Sequence, residues 1–249
     1  MEKATIEQAL EEASQIINLE DDEQEKRNIG RYFSTQKHRI VQDLELCLSL
    51  SNNNSKILDV GCYPFFSNIS LQSLGYNVVG VDLEPQRLPK IISHSGIDVR
   101  QCNIETETLP FESNSFDVIL FCEVFEHLRI DLIWTTQELY RVLKPGGYML
   151  LSTPNFLSFG KMLSLLLRGR TVNIFNVYNS LSTRGHAGHI REYTVREIKE
   201  FVNKIGFQCQ ETIYLGKSSW GLKPKLLLQA MSHRLIPATR NSFMLILVK

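Results

Sequence analysis

No stretch of the 249-residue chain approaches the roughly 18 consecutive apolar residues that a membrane-crossing helix needs. The first residues are polar and acidic. They lack the basic start and apolar run of a secretory signal, so the expected location is the cytoplasm. A basic surplus is missing too: 27 Lys and Arg balance 27 Asp and Glu. Chains that grip a nucleic-acid backbone usually carry such a surplus, so a long nucleic-acid partner is not expected. Five cysteines occur (Cys47, Cys62, Cys102, Cys122 and Cys209), and no two form a C-x-x-C pair. They are expected as reduced, buried thiols. Internal repeats and low-complexity tracts are also lacking.

What remains is an ordinary globular composition, 43% hydrophobic, long enough for one large α/β unit with an attached cap. Apolar residues at Ile6, Ala9, Leu10, Ala13, Ile16 and Ile17 recur at helical spacing. After the charged stretch 20–27, a second amphipathic segment carries Ile40, Val41, Leu44 and Leu48. Residues 1–55 therefore read as an N-terminal helical cap. From residue 56 short apolar runs alternate with helical stretches. Strands are expected at 57–60, 78–81, 99–102, 116–121, 148–152, 207–214 and 243–248. Helices are expected at 67–74, 85–92, 131–143 and 194–205. This alternation implies right-handed crossovers and a doubly wound, mostly parallel sheet of seven strands, Rossmann-like, over residues 56–249. Residues 155–190 interrupt the rhythm as a helical insertion. Residues 218–237 form a second such stretch, and both are apolar with basic flanks. They read as cap helices, as the wall of an apolar acceptor site, or as a surface for peripheral membrane contact.

The first strand runs Ile57-Leu58-Asp59-Val60 into a turn at Gly61-Cys62. The helix that follows, near Ser67, directs free backbone N–H groups and a partial positive charge at whatever binds there. Asp82 closes the second strand 21 residues after Gly61. An acid at about that offset accepts hydrogen bonds from ribose hydroxyls in dinucleotide-binding folds. A nicotinamide enzyme would need a G-x-G-x-x-G turn, which this sequence does not have.

Several further segments carry a more specific resemblance. They are Asn103-Ile104, Leu109-Pro110-Phe111, Ser115-Phe116-Asp117-Val118-Ile119, Glu123-Val124-Phe125-Glu126-His127-Leu128, Arg141-Val142-Leu143-Lys144-Pro145-Gly146-Gly147 and Arg191-Glu192-Tyr193-Thr194. Together with residues 57–61 they resemble the class I S-adenosylmethionine-dependent methyltransferases, of the ubiquinone-biosynthesis O-methyltransferase kind. The resemblance implies S-adenosylmethionine as cofactor and S-adenosylhomocysteine as product. It implies Asp59, Gly61, Cys62, Asp82, Leu83, Asn103, Ile104 and Cys122 as the cofactor-binding residues. The expected reaction is O-methylation of a small or lipid-linked acceptor by a monomer or homodimer. The first motif departs from the family pattern: Tyr63 and Phe65 stand where its second and third glycines are expected. Glycine there permits positive φ and close approach of a ligand, so a degenerate, non-catalytic binding module is an alternative.

Glu123, Glu126 and His127 follow the fourth strand, on the side of the sheet where ligands bind. They are open to three readings. Glu123 and its neighbours line the cofactor site; or His127 or His189 takes the acceptor's proton; or Glu123, Glu126, His127 and His189 hold a divalent metal. The last arrangement resembles the small-RNA 3′-terminal 2′-O-methyltransferases. The catalytic candidates are His127, His189 and Glu123, with no metal expected in the first two readings. His186 and Tyr193 are further acceptor-side candidates. Thr194 and Glu197 have the spacing of a helix capping box.

Overall fold

The structure is a computed structural model and describes residues 3–184, 188–216 and 224–249. Its centre is one seven-stranded sheet. The strands are β1 (Lys56–Val60), β2 (Asn77–Asp82), β3 (Asp98–Gln101), β4 (Phe116–Cys122), β5 (Leu143–Pro154), β6 (Gln208–Leu215) and β7 (Ser242–Val248), in the order β3-β2-β1-β4-β5-β7-β6. Strands β1 to β5 are parallel, and β7 runs antiparallel between β5 and β6. The order reverses between β1 and β4, which places a crevice outside their carboxyl ends.

Both faces of this sheet are covered, which is why its strands read as apolar runs. In β1, Ile57 packs into one core cluster and Leu58 into the other; in β4, Val118 and Leu120 take the first face, Ile119 and Phe121 the second. The first face is covered by α1 (Lys3–Ser14), α2 (Glu23–Ser49), α3 (Phe66–Ser73) and α4 (Pro89–Ser95). Residues of α5 (Leu132–Val142) and of a later helix, Val195–Ile205, bury the second. Between them stand α6 (Phe159–Arg168) and α7 (Ile174–Arg184), which make that later helix α8; α9 is Pro224–Leu235. Thr194 caps α8, and the reciprocal bonds of the capping box with Glu197 are both present.

Local chemistry sets the boundaries that hydrophobic spacing alone misplaces. Within the charged stretch after Leu19 the Asp22 side chain accepts from the Gln24 and Glu25 N–H groups and starts α2 at Glu23. The stretch 85–92 divides into a 3-10 turn at Pro85–Arg87 and then α4, with Pro89 at its first position. Strand β5 starts at Leu143, so it includes the Lys-Pro-Gly-Gly segment before the apolar run.

Candidate functional site

At the end of β1 the chain turns through Gly61 with φ 66°. A Cβ at this position would lie 2.6 Å from the Val124 Cγ2, so only glycine fits between this turn and the loop after β4. Phe65 also has positive φ, 73°, and is fully buried immediately before α3. Tyr63 donates its backbone N–H to Asp82 Oδ2 at 3.1 Å, and Glu84 donates to Asp82 Oδ1 at 3.1 Å. Asp82 therefore holds the β1 and β2 turns together.

Behind this turn lies a chamber of about 30 Å³, lined by Asp59, Gly61, Cys62, Tyr63 and Cys122 from the sheet edge and by Tyr32, Arg39 and Asp43 from α2. That volume holds about one water. Arg39 donates to Asp43 at 2.7 Å and to the Tyr32 hydroxyl at 2.9 Å. Burial, opposed in part by Arg39, pushes the Asp43 carboxyl up to about 7. Burial, reinforced by Asp43 and Asp82, pushes Asp59 up to about 8.

A second group follows β4. Glu123 sits at φ 57°, a left-handed conformation that is costly for a residue with a Cβ. Its Oε1 is buried without a hydrogen-bond partner among the described residues, as is Oε1 of Glu126. The other Glu126 oxygen accepts from the Thr153 hydroxyl at 2.9 Å. Burial, with the neighbouring Glu123, pushes the Glu126 carboxyl up to about 8. The Glu126 backbone carbonyl accepts from Ile190 N at 2.8 Å and so draws the 188–191 loop over the site. His189 Nδ1 contacts Glu192 at 3.2 Å, and its Nε2 lies 3.9 Å from Glu126. The Glu192 bond raises the His189 pKa above its ordinary value, against the effect of burial. His127 Nδ1 lies 3.1 Å from the Gly188 carbonyl, which can only accept. That bond places the proton on Nδ1 and the lone pair of the neutral ring on Nε2. The two imidazoles meet edge to face, with centroids 4.9 Å apart.

The residues singled out by sequence therefore fall in three places. Asp59, Gly61, Cys62 and Cys122 line the chamber. Asp82 is tied to the chamber through the Tyr63 N–H, and Leu83, Asn103 and Ile104 follow the ends of β2 and β3, which the 2.9 Å bond from Cys102 N to the Asp82 carbonyl joins; none of the four lines the chamber. Glu126, His127 and His189 bring one possible ligand atom each within 4.8 Å of the others, and Glu123 is not in this group. The four-residue metal set thus reduces to three. His186 lies outside the described residues. Tyr193 packs its ring on Phe125 at 5.0 Å. Sequence reasoning missed Tyr32, Arg39 and Asp43. Their signal was an Arg and an Asp four apart on the apolar stripe of α2, beside Ile40, Leu44 and Cys47, where an unpaired charge would be costly.

These groups suit a nucleoside bearing an amino-acid tail: acids at the strand ends, a backbone turn at Gly61, and a guanidinium within reach. The 30 Å³ chamber does not suit its size, since ligand pockets typically span about 300–1,000 Å³. A wider, open groove of about 640 Å³ lies between Asn155, Leu157, Thr194, Lys199, Tyr214 and Ala238 and shares no lining residue with the chamber.

Residues 58–151 match the family model described as a methyltransferase domain. The ubiquinone biosynthesis O-methyltransferase of Cereibacter sphaeroides is 32% identical over 126 residues, covering 49% of this chain and 51% of that protein. The chain thus spans about half the length of the curated relatives it matches. Among solved structures, an S-adenosylmethionine-dependent methyltransferase from Archaeoglobus fulgidus superposes with a TM-score of 0.60 at 15% identity, over 88% of this chain and 99% of its own. The cyclase SpnF superposes with a TM-score of 0.55 at 13% identity, over 83% and 79%. Likeness at that identity shows the fold alone, and the second example shows that the fold hosts different chemistry.

The raised Asp59 carboxyl has a measurable consequence. A folded-state pKa above the unfolded value means that the folded chain binds the extra proton between pH 3.8 and about 8, so stability falls as pH rises through that window. Thermal unfolding followed from pH 5 to 9 should show a declining Tm. In Asp59→Asn the decline should shrink by at least about 2 °C. An unchanged profile would mean that Asp59 is charged in the folded chain.

Proposed function

From the match of residues 58–151 to a methyltransferase domain, we propose that the chain is a class I S-adenosylmethionine-dependent methyltransferase and transfers the methyl group of S-adenosylmethionine to an oxygen of a small or lipid-linked acceptor. The observation that carries this reading is the convergence of Asp59, Gly61 and Arg39, with Asp82 bonded to the Tyr63 N–H, on the crevice outside β1 and β4. When bound there, the cofactor supplies a methyl group on a positively charged sulfur, already activated for attack.

The chain's own residues then have three tasks. Asp82 accepts from the ribose hydroxyls, and Asn103 and Ile104, at the end of β3, flank the adenine. Arg39 is the only cation among the described residues lining the chamber, and it takes the carboxylate of the amino-acid tail. His127, through its Nε2 lone pair, or His189 accepts the acceptor's proton, and the Glu126 carboxyl stands 3.9 Å from His189 Nε2.

Calorimetric titration with S-adenosylhomocysteine tests the cofactor part. Binding should be micromolar and should weaken about 10–100-fold in Asp82→Ala and in Arg39→Met. The Arg39 variant should leave 5′-methylthioadenosine, which has no carboxylate, unaffected. Absence of binding at millimolar ligand would favour a non-catalytic binding module.

The cluster of Glu126, His127 and His189 supports a second, metal-assisted version of the same reaction. Two imidazoles and a carboxylate suit manganese, cobalt or iron. Manganese(II) titration should then give a stoichiometric heat that His189→Gln abolishes. A silent titration leaves the two histidines as proton acceptors.

The lipid-linked side of the reading rests on charge and exposure. Residues 156–184 contain four Lys or Arg, and residues 217–240 five more; neither segment holds an acid. The remaining residues carry 18 basic and 27 acidic side chains. Leu166, Ile174 and Phe175 are 83%, 70% and 76% exposed. Helix α6 packs on α9, where Leu235 is also exposed. No helix of the described residues is long and apolar enough to cross a membrane. Such a face suits the surface of an anionic bilayer. Co-sedimentation with vesicles containing phosphatidylglycerol should exceed that with phosphatidylcholine alone. Arg168→Glu with Arg170→Glu should abolish the difference. Equal recovery with both lipids would remove this part of the reading.

A further inference from the structure

The mismatch between the polar groups of the crevice and its 30 Å³ chamber points to a moving part. The floor of the chamber belongs to β1 and β4, whose residues Leu58, Val60, Ile119 and Phe121 are buried in the core, so it does not yield. The roof belongs to α2, and that helix is anchored unevenly. Its C-terminal part, which carries Arg39 and Asp43 of the roof, buries Ile40, Val41, Leu44, Cys47 and Leu48; the part that brings Tyr32 to the roof has Ile29 as its only fully buried residue, with Tyr32 and Phe33 half-buried against the core. Gly30 interrupts the weakly anchored half with nothing near its missing Cβ. A glycine in a helix interior costs about 1 kcal/mol relative to alanine.

Side chains hold that half down. Glu25, on the first turns of α2, accepts a hydrogen bond from the Tyr63 hydroxyl and another from Arg87 Nη2 at 2.9 Å. The Arg87 guanidinium lies 4.8 Å from the centroid of the Tyr63 ring, so the three side chains close on one another. Each comes from a different element: α2, the turn after β1, and the 3-10 turn that follows Asp82. The Glu25 side chain is 15% exposed, which makes its two bonds stronger than those of an open surface pair. Tyr63 also lines the chamber, and its backbone N–H holds Asp82. The triad thus spans the gap between the Gly61 turn and the acid that would receive a ribose. Tyr63 occupies the place of a motif glycine, which could not reach Glu25.

We propose that Glu25, Tyr63 and Arg87 form a gate that fastens α2 over the chamber and must open before a nucleoside-sized ligand enters. The gate rests on the reading of this crevice as the cofactor site. It makes the apparent affinity the product of an intrinsic affinity and the fraction of open chains. Loosening the gate raises association and apparent affinity together and leaves dissociation unchanged.

Surface plasmon resonance of S-adenosylhomocysteine over immobilised full-length protein tests this with Tyr63→Phe, which keeps the ring and loses the hydroxyl. Glu25→Gln, at the outer end of α2, serves as a second variant that leaves the turn intact. The association rate should rise about tenfold in each, the effect of one hydrogen bond to a charged group, at an unchanged dissociation rate. Amide hydrogen exchange of residues 23–35 in the ligand-free chain should quicken in both. Association as slow as in the wild type, with unaltered exchange, would overturn the gate and make Tyr63 a fixed wall. Slower association with faster dissociation would make the hydroxyl a ligand contact and overturn the gate too. If the wild type binds nothing and either variant binds, the gate is supported in its tightest form. If neither these variants nor Tyr63→Gly bind millimolar ligand, the cofactor reading itself fails, and the gate with it.

Discussion

Gly61 leaves β1 at φ 66°, and the Val124 side chain fills the space where a Cβ would stand, 2.6 Å away. Two loops from neighbouring parallel strands are thereby pressed together at the point where the strand order reverses. The crevice, its narrow chamber and the position of every polar group around it depend on that contact. Asp82 reaches the turn because β2 pairs in register with β1, and Glu123 reaches it because its loop is the one that carries Val124. A side chain at position 61 would separate the loops and disperse the site with no change to the sheet.

The chamber concentrates charge in a small volume. Asp43 and Asp59 line it with a single guanidinium, Arg39. Glu123 stands close enough to raise the Asp43 pKa further. One cation cannot neutralise three carboxylates out of water, so protons must be shared among them. Such a site is unfavourable when empty and favourable when a cationic ligand enters. Stability and ligand affinity are therefore tied to the same few groups.

The strands were legible because both sheet faces are buried, which leaves uninterrupted apolar runs bounded by Gly, Asn and Asp. The turn at Gly61 and the acid at Asp82 were legible from spacing alone. The Thr194 cap was legible because its chemistry is local. The roof of the chamber was not. Arg39 and Asp43 contact β1 and β4 only through tertiary packing, and the apolar stripe of α2 masked them as an ordinary surface pair. The gate was also hidden, since Glu25, Tyr63 and Arg87 lie 38 and 24 residues apart in the chain and meet only after β1 and β2 have paired. Tyr63 was visible only as a missing glycine; what it gained could not be read until its partner was known. The same holds for His189, whose approach to Glu126 depends on the backbone bond from Ile190.

The overall neutrality of the chain hides a separation of charge. Nine positive charges lie in two segments without a compensating acid, and the rest of the molecule carries a matching negative excess. The basic ends of α6 and α9, two helices in contact, give a neutral chain little net attraction to a charged surface at long range but a torque as it approaches within about a Debye length, roughly 8–10 Å. It would arrive already oriented, with Arg168 and the exposed leucines of α6 leading. Salt would alter the orientation of each encounter more than its frequency.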